Sequence, residues 1–269
     1  MRIPFVKMHG LGNDFVVLDA RQNALLPITS GLARALADRR TGIGCDQLIL
    51  LEPSGKADFR MRIFNNDGSE VGACGNASRA VALLHGKPAR IETAGGLIEA
   101  RPAENGIAVD MGTPRFGWEE IPLAYAMDTQ SMPVAWEDLE NPMAINVGNP
   151  HVVFFVDDAD GVELERLGPQ IEHDPIFPDR VNVNVAQIAN RKAILLRVWE
   201  RGAGLTRACG TGACATAVAA MRKGLVDREV EVTLPGGTLT IAWSNDGRIV
   251  MTGPAAESFR GTFDPADFA

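Results

Sequence analysis

Lysine is scarce in this chain. Of 269 residues only Lys7, Lys56, Lys87, Lys192 and Lys223 are lysines, and none sits within a glycine-rich motif. A Schiff base to pyridoxal phosphate needs a lysine and finds no candidate here. Cysteine is sparse as well: Cys45, Cys74, Cys209 and Cys214 are too few to staple a chain of this size. They are expected to be thiols in a reducing compartment. Positive charge is in deficit, with 26 Lys+Arg against 34 Asp+Glu and a net charge of −8. That balance argues against nucleic acid and anionic membranes as partners. Apolar runs such as residues 152–156 are far too short to span a bilayer. Met1-Arg2-Ile3-Pro4 lacks the apolar segment of a secretory signal, so a cytoplasmic protein is expected. No C-x-x-C pair occurs and the four histidines are scattered, so no metal site is expected. Gly10-Leu11-Gly12 and Gly42-Ile43-Gly44 complete neither a dinucleotide fingerprint nor a P-loop.

What the chain has is enough apolar residue, 46%, to bury a real core, and an internal repeat. Gly12-Asn13 before Phe15-Val16-Val17 is answered by Gly148-Asn149 before Val152-Val153-Phe154. Gln47 is answered by Asn182, Met61-Arg62-Ile63-Phe64 by Leu196-Arg197-Val198-Trp199, and Ala73-Cys74-Gly75 by Ala208-Cys209-Gly210. Gly95-Gly96 is answered by Gly236-Gly237. These matches keep one order and nearly one offset, which marks a duplication. Two homologous α/β halves are expected.

Each half reads as strand, helix, two strands, helix and hairpin. Strands are predicted at 15–18, 47–51 and 60–64, and again at 152–156, 181–188 and 193–199. First helices are predicted at 31–40, led by Thr29-Ser30, and at 163–172. Second helices, 76–85 and 211–223, start after each Cys-Gly and are closed by Gly86 and Gly224. Both are alanine-rich and nearly apolar all round, so each is expected to be buried by its own half's sheet.

Cys74 and Cys209 thus stand at matched starts of buried helices. The first helical amides lack internal partners and carry partial positive charge, which favours thiolate and binds carboxylates. Two thiols on opposite sides of one carbon suit stereoinversion: one removes the α-proton, the other protonates the opposite face, and the helix amides stabilise the charge that builds. A single buried cysteine is ordinarily a small hydrophobe, and core or second-layer packing is the expectation for the unduplicated Cys45 and Cys214. A duplicated Ala-Cys-Gly is a different matter. Polar residues cluster beside the same strands: Asn13, Gln47, Asn65, Asn149, Asn182, Glu200 and Arg201. Alone, each asparagine would read as a turn residue. Asn13/Asn149, Gln47/Asn182 and Asn65/Glu200 match across the repeat, and Arg201 is suited to clamping a second carboxylate. His151 lies where it can influence a thiol.

The motifs together resemble the diaminopimelate epimerase family. They include His9-Gly10-Leu11-Gly12-Asn13-Asp14-Phe15, Gly42-Ile43-Gly44-Cys45-Asp46-Gln47, Asn65-Asn66-Asp67-Gly68-Ser69-Glu70 and Ala73-Cys74-Gly75-Asn76. Gly148-Asn149-Pro150-His151, Arg180-Val181-Asn182-Val183, Glu200-Arg201-Gly202, Ala208-Cys209-Gly210-Thr211-Gly212-Ala213-Cys214 and Leu234-Pro235-Gly236-Gly237 complete the set. The resemblance covers nearly the whole chain. It implies two pseudo-symmetric domains, each a mixed sheet wrapped around a central helix, with the site in the cleft. The halves are expected at 1–115 and 116–253, and the family's last strand would place 254–269 with the first. The implied reaction is interconversion of LL- and meso-diaminopimelate, a step toward lysine and peptidoglycan, with no cofactor. Cys74 is implied as proton donor and Cys209 as proton acceptor in one direction. Gly75, Asn76, Gly210 and Thr211 would hold the reacting carboxylate and amine. Asn13, Gln47, Asn65, Asn149, Asn182, Glu200 and Arg201 would line the rest of the substrate, with His151 and Glu200 tuning the thiols. Asn66, Ala73 and Ala80 depart from the family pattern without touching a proposed contact. A homodimer is allowed but not specified. The alternatives are a proline or hydroxyproline racemase, a phenazine-type isomerase, or a non-catalytic amino-acid-binding protein, which would need no thiols.

Overall fold

A computed structural model of the chain describes residues 2–23, 25–72 and 74–268. The N-terminal reading at Met1 and the Ala73 of the repeated tripeptide lie outside the described residues. By contacts the chain divides into two compact units, Met1–Val109 with Gly253–Ala269, and Asp110–Thr252.

The first unit runs β1 (Ile3–Gly10), β2 (Asn13–Asp19), α1 (Ser30–Ala37), β3 (Gln47–Glu52), β4 (Phe59–Asn65), β5 (Glu70–Val71), α2 (Gly75–His85), β6 (Ala89–Thr93), β7 (Gly96–Ala103) and β8 (Gly106–Asp110). The second runs β9 (Ala135–Trp136), β10 (Leu139–Glu140), β11 (Met143–Asn146), β12 (Pro150–Phe155), α3 (Leu164–Glu172), β13 (Asn182–Asn190), β14 (Ala193–Glu200), β15 (Gly204–Thr206), α4 (Gly210–Arg222), β16 (Glu229–Leu234), β17 (Gly237–Trp243) and β18 (Ile249–Gly253). The last strand, β19 (Ala256–Phe263), pairs antiparallel with β1 in the first unit.

The duplication holds strand by strand. In the first unit β1–β2, β3–β4, β4–β5, β6–β7 and β7–β8 pair antiparallel, whereas β2–β3 and β4–β6 are parallel. In the second, β11–β12, β13–β14, β14–β15, β16–β17 and β17–β18 are antiparallel, and β12–β13 and β14–β16 are parallel. A parallel pair needs a crossover, and the four helices supply these: α1 and α3 for the first parallel pair of each unit, α2 and α4 for the second.

Both faces of each sheet are covered, which is why the central strands read as continuous apolar runs rather than alternations. Val16, Leu18, Leu48 and Leu50 share a core with Ala33 and Leu36 of α1. Val152, Phe154, Val183 and Val185 share one with Leu164, Leu167 and Ile171 of α3. The alternate residues Phe15, Val17, Ile49 and Leu51 are equally buried and by the two-residue period point to the other face. Every residue from Gly75 to Ala82 of α2 is buried, as is nearly all of α4. Small alanine side chains let these helices lie close to the strands around them. The helix expected at 31–40 is shorter. It stops at Ala37 because Asp38 turns extended and its carboxylate accepts from the Arg40 and Thr41 backbone N–H groups, each at 2.7 Å. Among the described residues no helix is long and apolar enough to cross a membrane.

Candidate active site

Each unit gathers its polar residues at one end of its own sheet. In the first, Asn13 opens β2, Gln47 opens β3 and Asn65 closes β4. Register places Gln47 opposite Asn65 and next to Phe15. Cys74 is the N-cap of α2, and its sulfur accepts from the Ala77 N–H at 3.5 Å. The second unit repeats this with His151 beside Asn182 in the β12–β13 register, Glu200 closing β14, and Cys209 as N-cap of α4, accepting from the Gly212 N–H at 3.3 Å. A cysteine is an unusual cap. Both are extended residues whose thiols are aimed at the exposed first-turn amides, where serine or aspartate ordinarily sits.

The hydrogen bonds around the two thiols are not equivalent. Cys74 donates its S–H to Asn13 Oδ1 at 3.9 Å, and Asn76 Nδ2 donates to the same oxygen at 3.2 Å. Gln47 Nε2 donates to Asn65 Oδ1 at 3.0 Å, and Asn65 Nδ2 to Ser69 Oγ at 3.2 Å. At the other thiol, Thr211 Oγ1 lies 3.6 Å from Cys209 Sγ and accepts from Asn149 Nδ2 at 3.3 Å. Having accepted from Asn149, the threonine hydroxyl keeps its hydrogen and a second lone pair, so it can donate to a Cys209 thiolate or accept from the thiol. So Asn13 presents its oxygen to the thiol beside it, whereas Asn149 presents its nitrogen toward Thr211.

The helix start predicts a thiolate-favouring site, but at Cys209 the net direction is the reverse. Complete burial pushes the thiol well above its ordinary value, and the Glu200 carboxylate beside it pushes further. Thr211 and the Gly212 N–H oppose this without cancelling it. Glu200 is itself held by the Thr206 hydroxyl at 2.5 Å. His151 is fully buried, and its imidazole is pushed down to about 3, chiefly by burial. A neutral ring fixes the tautomer: Nδ1 accepts from Asn184 Nδ2 at 3.1 Å, so Nε2 carries the hydrogen and donates to Asn149 Oδ1 at 2.9 Å. His151 therefore reaches Cys209 through Asn149 and Thr211.

Asn182 is pinned at both ends, its Nδ2 donating to Pro150 O at 2.8 Å and its Oδ1 accepting the Arg201 N–H at 3.0 Å. The Arg201 guanidinium donates to Asp179 O at 2.8 Å. The turn after β14 is anchored by buried Glu172, which accepts from the Gly202 N–H at 2.9 Å and from Trp199 Nε1 at 2.7 Å. Gly75 and Gly210 open the two buried helices. Cys45 and Cys214 are buried, and burial pushes the Cys45 thiol up to about 11.

Three residues escape the repeat comparison. Asn184 is fully buried and orients His151 while also donating to Val152 O at 3.0 Å. Its signal was present: Asn182 and Asn184 are alternate polar residues in an otherwise apolar strand. Gly212 faces Asn184 and the Cys209 sulfur at a separation that leaves no room for a methyl group. Asp46 accepts from Asn13 Nδ2 at 2.9 Å and from the Asp14 N–H at 3.0 Å. Asp14 is partly buried, which raises its carboxyl, but hydrogen bonds from Arg39 and Lys7 hold it well below the usual range. Among the described residues no three His, Cys, Asp or Glu gather where they could hold a metal ion.

The sequence model of the diaminopimelate epimerase family matches residues 5–117 and 143–257. A diaminopimelate epimerase of Erythrobacter litoralis is 70% identical over 269 residues, covering 100% of both chains. One from Zymomonas mobilis is 56% identical over 270 residues, again with full coverage of both. Solved structures share the fold at low identity. A phenazine biosynthesis protein of the PhzF family from Enterococcus faecalis has a TM-score of 0.73 at 14% identity, covering 98% of this chain and 100% of its own. A hydroxyproline epimerase from Agrobacterium vitis has a TM-score of 0.67 at 16% identity, covering 99% of this chain and 93% of its own.

Proposed function

The chain belongs to the diaminopimelate epimerase family, and from that membership we propose that it interconverts LL- and meso-2,6-diaminopimelate by a two-base inversion without a cofactor. It is an isomerase of amino-acid biosynthesis acting on a small molecule. The observation that carries the chemistry is the duplicated cysteine cap, with a thiol at the start of each unit's buried helix.

In one direction the Cys209 thiolate takes the α-proton, breaking the C–H bond and leaving its electron pair on the α-carbon and its carboxylate. The Cys74 S–H then delivers its proton to the opposite face. The new C–H bond inverts the centre, and the proton gained by Cys209 balances the one lost by Cys74. The reverse direction exchanges the roles. Burial and Glu200 raise the Cys209 thiol, which makes its thiolate a stronger base and at the same time a scarcer one. The α-proton is weakly acidic, and a base whose conjugate acid is weaker takes it with more driving force. Backbone amides of Gly75, Asn76, Gly210 and Thr211 supply donors for the reacting carboxylate as its charge grows. Asn13, Gln47, Asn65, Asn149, Asn182, Glu200 and Arg201 recognise the distal amino acid, and His151 and Glu200 tune Cys209. The expected setting is cytoplasmic, with neither nucleic acid nor membrane as partner.

The direct test is incubation with LL-diaminopimelate followed by chiral analysis. Appearance of the meso form supports the assignment. Turnover of proline at a comparable rate would move the protein to the racemase reading. Substrate binding that survives loss of both thiols, with no turnover in the intact protein, would mark a binding protein.

A further inference from the structure

We propose that Asp46 is a positioning residue that fixes the side-chain amide of Asn13 with its oxygen toward Cys74. The proposal rests on the reading of Cys74 as a reacting thiol. A carboxylate only accepts hydrogen bonds. Because Asp46 Oδ2 lies 2.9 Å from Asn13 Nδ2, the amide nitrogen is committed to that side and the oxygen to the other. On that other side the oxygen accepts from Cys74 S–H and from Asn76 Nδ2. Flipped, the amide would set its oxygen against the carboxylate and its N–H group against the sulfur.

Asp46 is itself held from several directions. Its Oδ2 also accepts the Asp14 N–H, its own N–H donates to Asp14 Oδ1 at 3.1 Å, and its Oδ1 accepts from Arg39 Nη2 at 2.7 Å. Asp14 in turn binds Arg39, with Nη2 at 2.6 Å, and the buried Lys7 ammonium, which also donates to Gly44 O. Two cations and two anions thus form a closed network between β1, β2 and the segment after α1. It orders the residue that opens β2.

The repeat shows that this is not a general requirement of the fold. The β2–β3 register sets Phe15 against Gln47, and the β12–β13 register sets His151 against Asn182. The positions just before these pairs are Asp14 and Asp46 in one unit and Pro150 and Val181 in the other. The second unit therefore has no carboxylate there. Its asparagine, Asn149, is oriented instead by a donor, His151 Nε2, and so presents the opposite end of its amide. The two thiols thus meet different neighbours: the amide oxygen of Asn13 at Cys74, and the Glu200 carboxylate with the Thr211 hydroxyl at Cys209.

The test compares Asp46→Ala with Asp46→Asn, reading iodoacetamide alkylation of Cys74 and Cys209 separately by peptide mass spectrometry at one neutral pH. Asp46→Asn can keep a carbonyl oxygen where Oδ2 lies, so Cys74 should alkylate at nearly the wild-type rate. Asp46→Ala releases the Asn13 amide. Cys74 should then alkylate about three- to tenfold faster, corresponding to a thiol titration lowered by about half to one pH unit. The Cys209 rate should stay within about twofold. If the alanine variant does not fold, Asp46→Ser, too short to reach Asn13, takes its place. An unchanged Cys74 rate in the alanine or serine variant overturns the proposal. So does an equal rise in the asparagine variant, which would point to charge alone, or a parallel rise at both cysteines, which would point to general loosening. Alkylation needs no turnover, so failure of wild-type protein to epimerise diaminopimelate would overturn the assigned reaction while leaving the Asp46 result readable.

Discussion

Replacing Gly212 with alanine tests how tightly the Cys209 thiol is held. A Cβ at this position would lie 2.8 Å from Asn184 Oδ1, 3.1 Å from Val198 Cγ2 and 3.2 Å from Cys209 Sγ. The first separation is shorter than real Cβ contacts, so something must move. Asn184 is buried, and its nitrogen is tied to Val152 O and His151 Nδ1. Its retreat would break the bonds that orient the histidine, so the strain falls partly on the sulfur. Overpacking of this kind costs roughly 1–3 kcal/mol, and the better helix propensity of alanine returns up to about 1 kcal/mol. With the 2.8 Å contact placing the overpacking in the upper part of that range, a net loss of roughly 1–2 kcal/mol lowers the melting temperature by about 2–8 °C. Displacing a reacting group by 1 Å costs about 100-fold in rate, so a shift of a few tenths of an ångström should lower kcat about three- to fivefold. The first helix already carries alanine at the matching position, Ala77, so the demand for glycine is specific to the second thiol. Thermal unfolding and diaminopimelate turnover read the two effects. A Gly212→Ala enzyme with wild-type kcat and an unchanged or raised melting temperature would refute the reasoning.

Cys74→Ala and Cys209→Ala should each lower kcat by about 10²–10⁴-fold, the usual contribution of a general acid or base, while binding of diaminopimelate followed by calorimetry survives; near-normal turnover in either variant would remove that cysteine from the chemistry. Because the folded-state pKa of His151, about 3, lies below the unfolded value of about 6.5, its neutral burial contributes stability fully above pH 6.5, and that contribution is lost as pH falls toward 3. His151→Gln should therefore flatten the decline in stability between pH 6 and pH 4 seen by urea unfolding, and an identical slope would contradict the burial. Exhaustive chelation and borohydride treatment should leave turnover unchanged, and loss restored by zinc would overturn the cofactor-free reading. Lysine and proline should be rejected by several orders of magnitude in kcat/KM, since a site with donors for a distal carboxylate leaves them unpaired.

The repeat was legible because duplicated residues carry their own control. Cys74 and Cys209, and the pairs Gln47/Asn182 and Asn65/Glu200, fall at matching strand ends and helix starts of the two units. The thiol environments were less legible. A helix start can be read from Ala-Cys-Gly, but the burial of Cys209 and its nearness to Glu200 arise from tertiary packing, and these reverse the electrostatic direction. Asp14, Asp46, Arg39 and Lys7 are separated along the chain, have no repeat partners, and meet only when β2 and β3 pair. Gly212 looked like one more glycine in a glycine-rich segment; its neighbour Asn184 comes from a strand, out of reach of any local pattern. The helix expected to reach residue 40 ended early because Asp38 supplies its own turn.

Two-base inversion is tested most directly by running the reaction from LL-diaminopimelate in deuterated water and stopping at low conversion. If two thiols serve opposite faces of one carbon, as proposed, the meso product should carry deuterium at the inverted centre while the recovered substrate remains mostly protium. Equal early labelling of substrate and product would mean that one group removes and returns the proton, and would contradict the two-thiol mechanism.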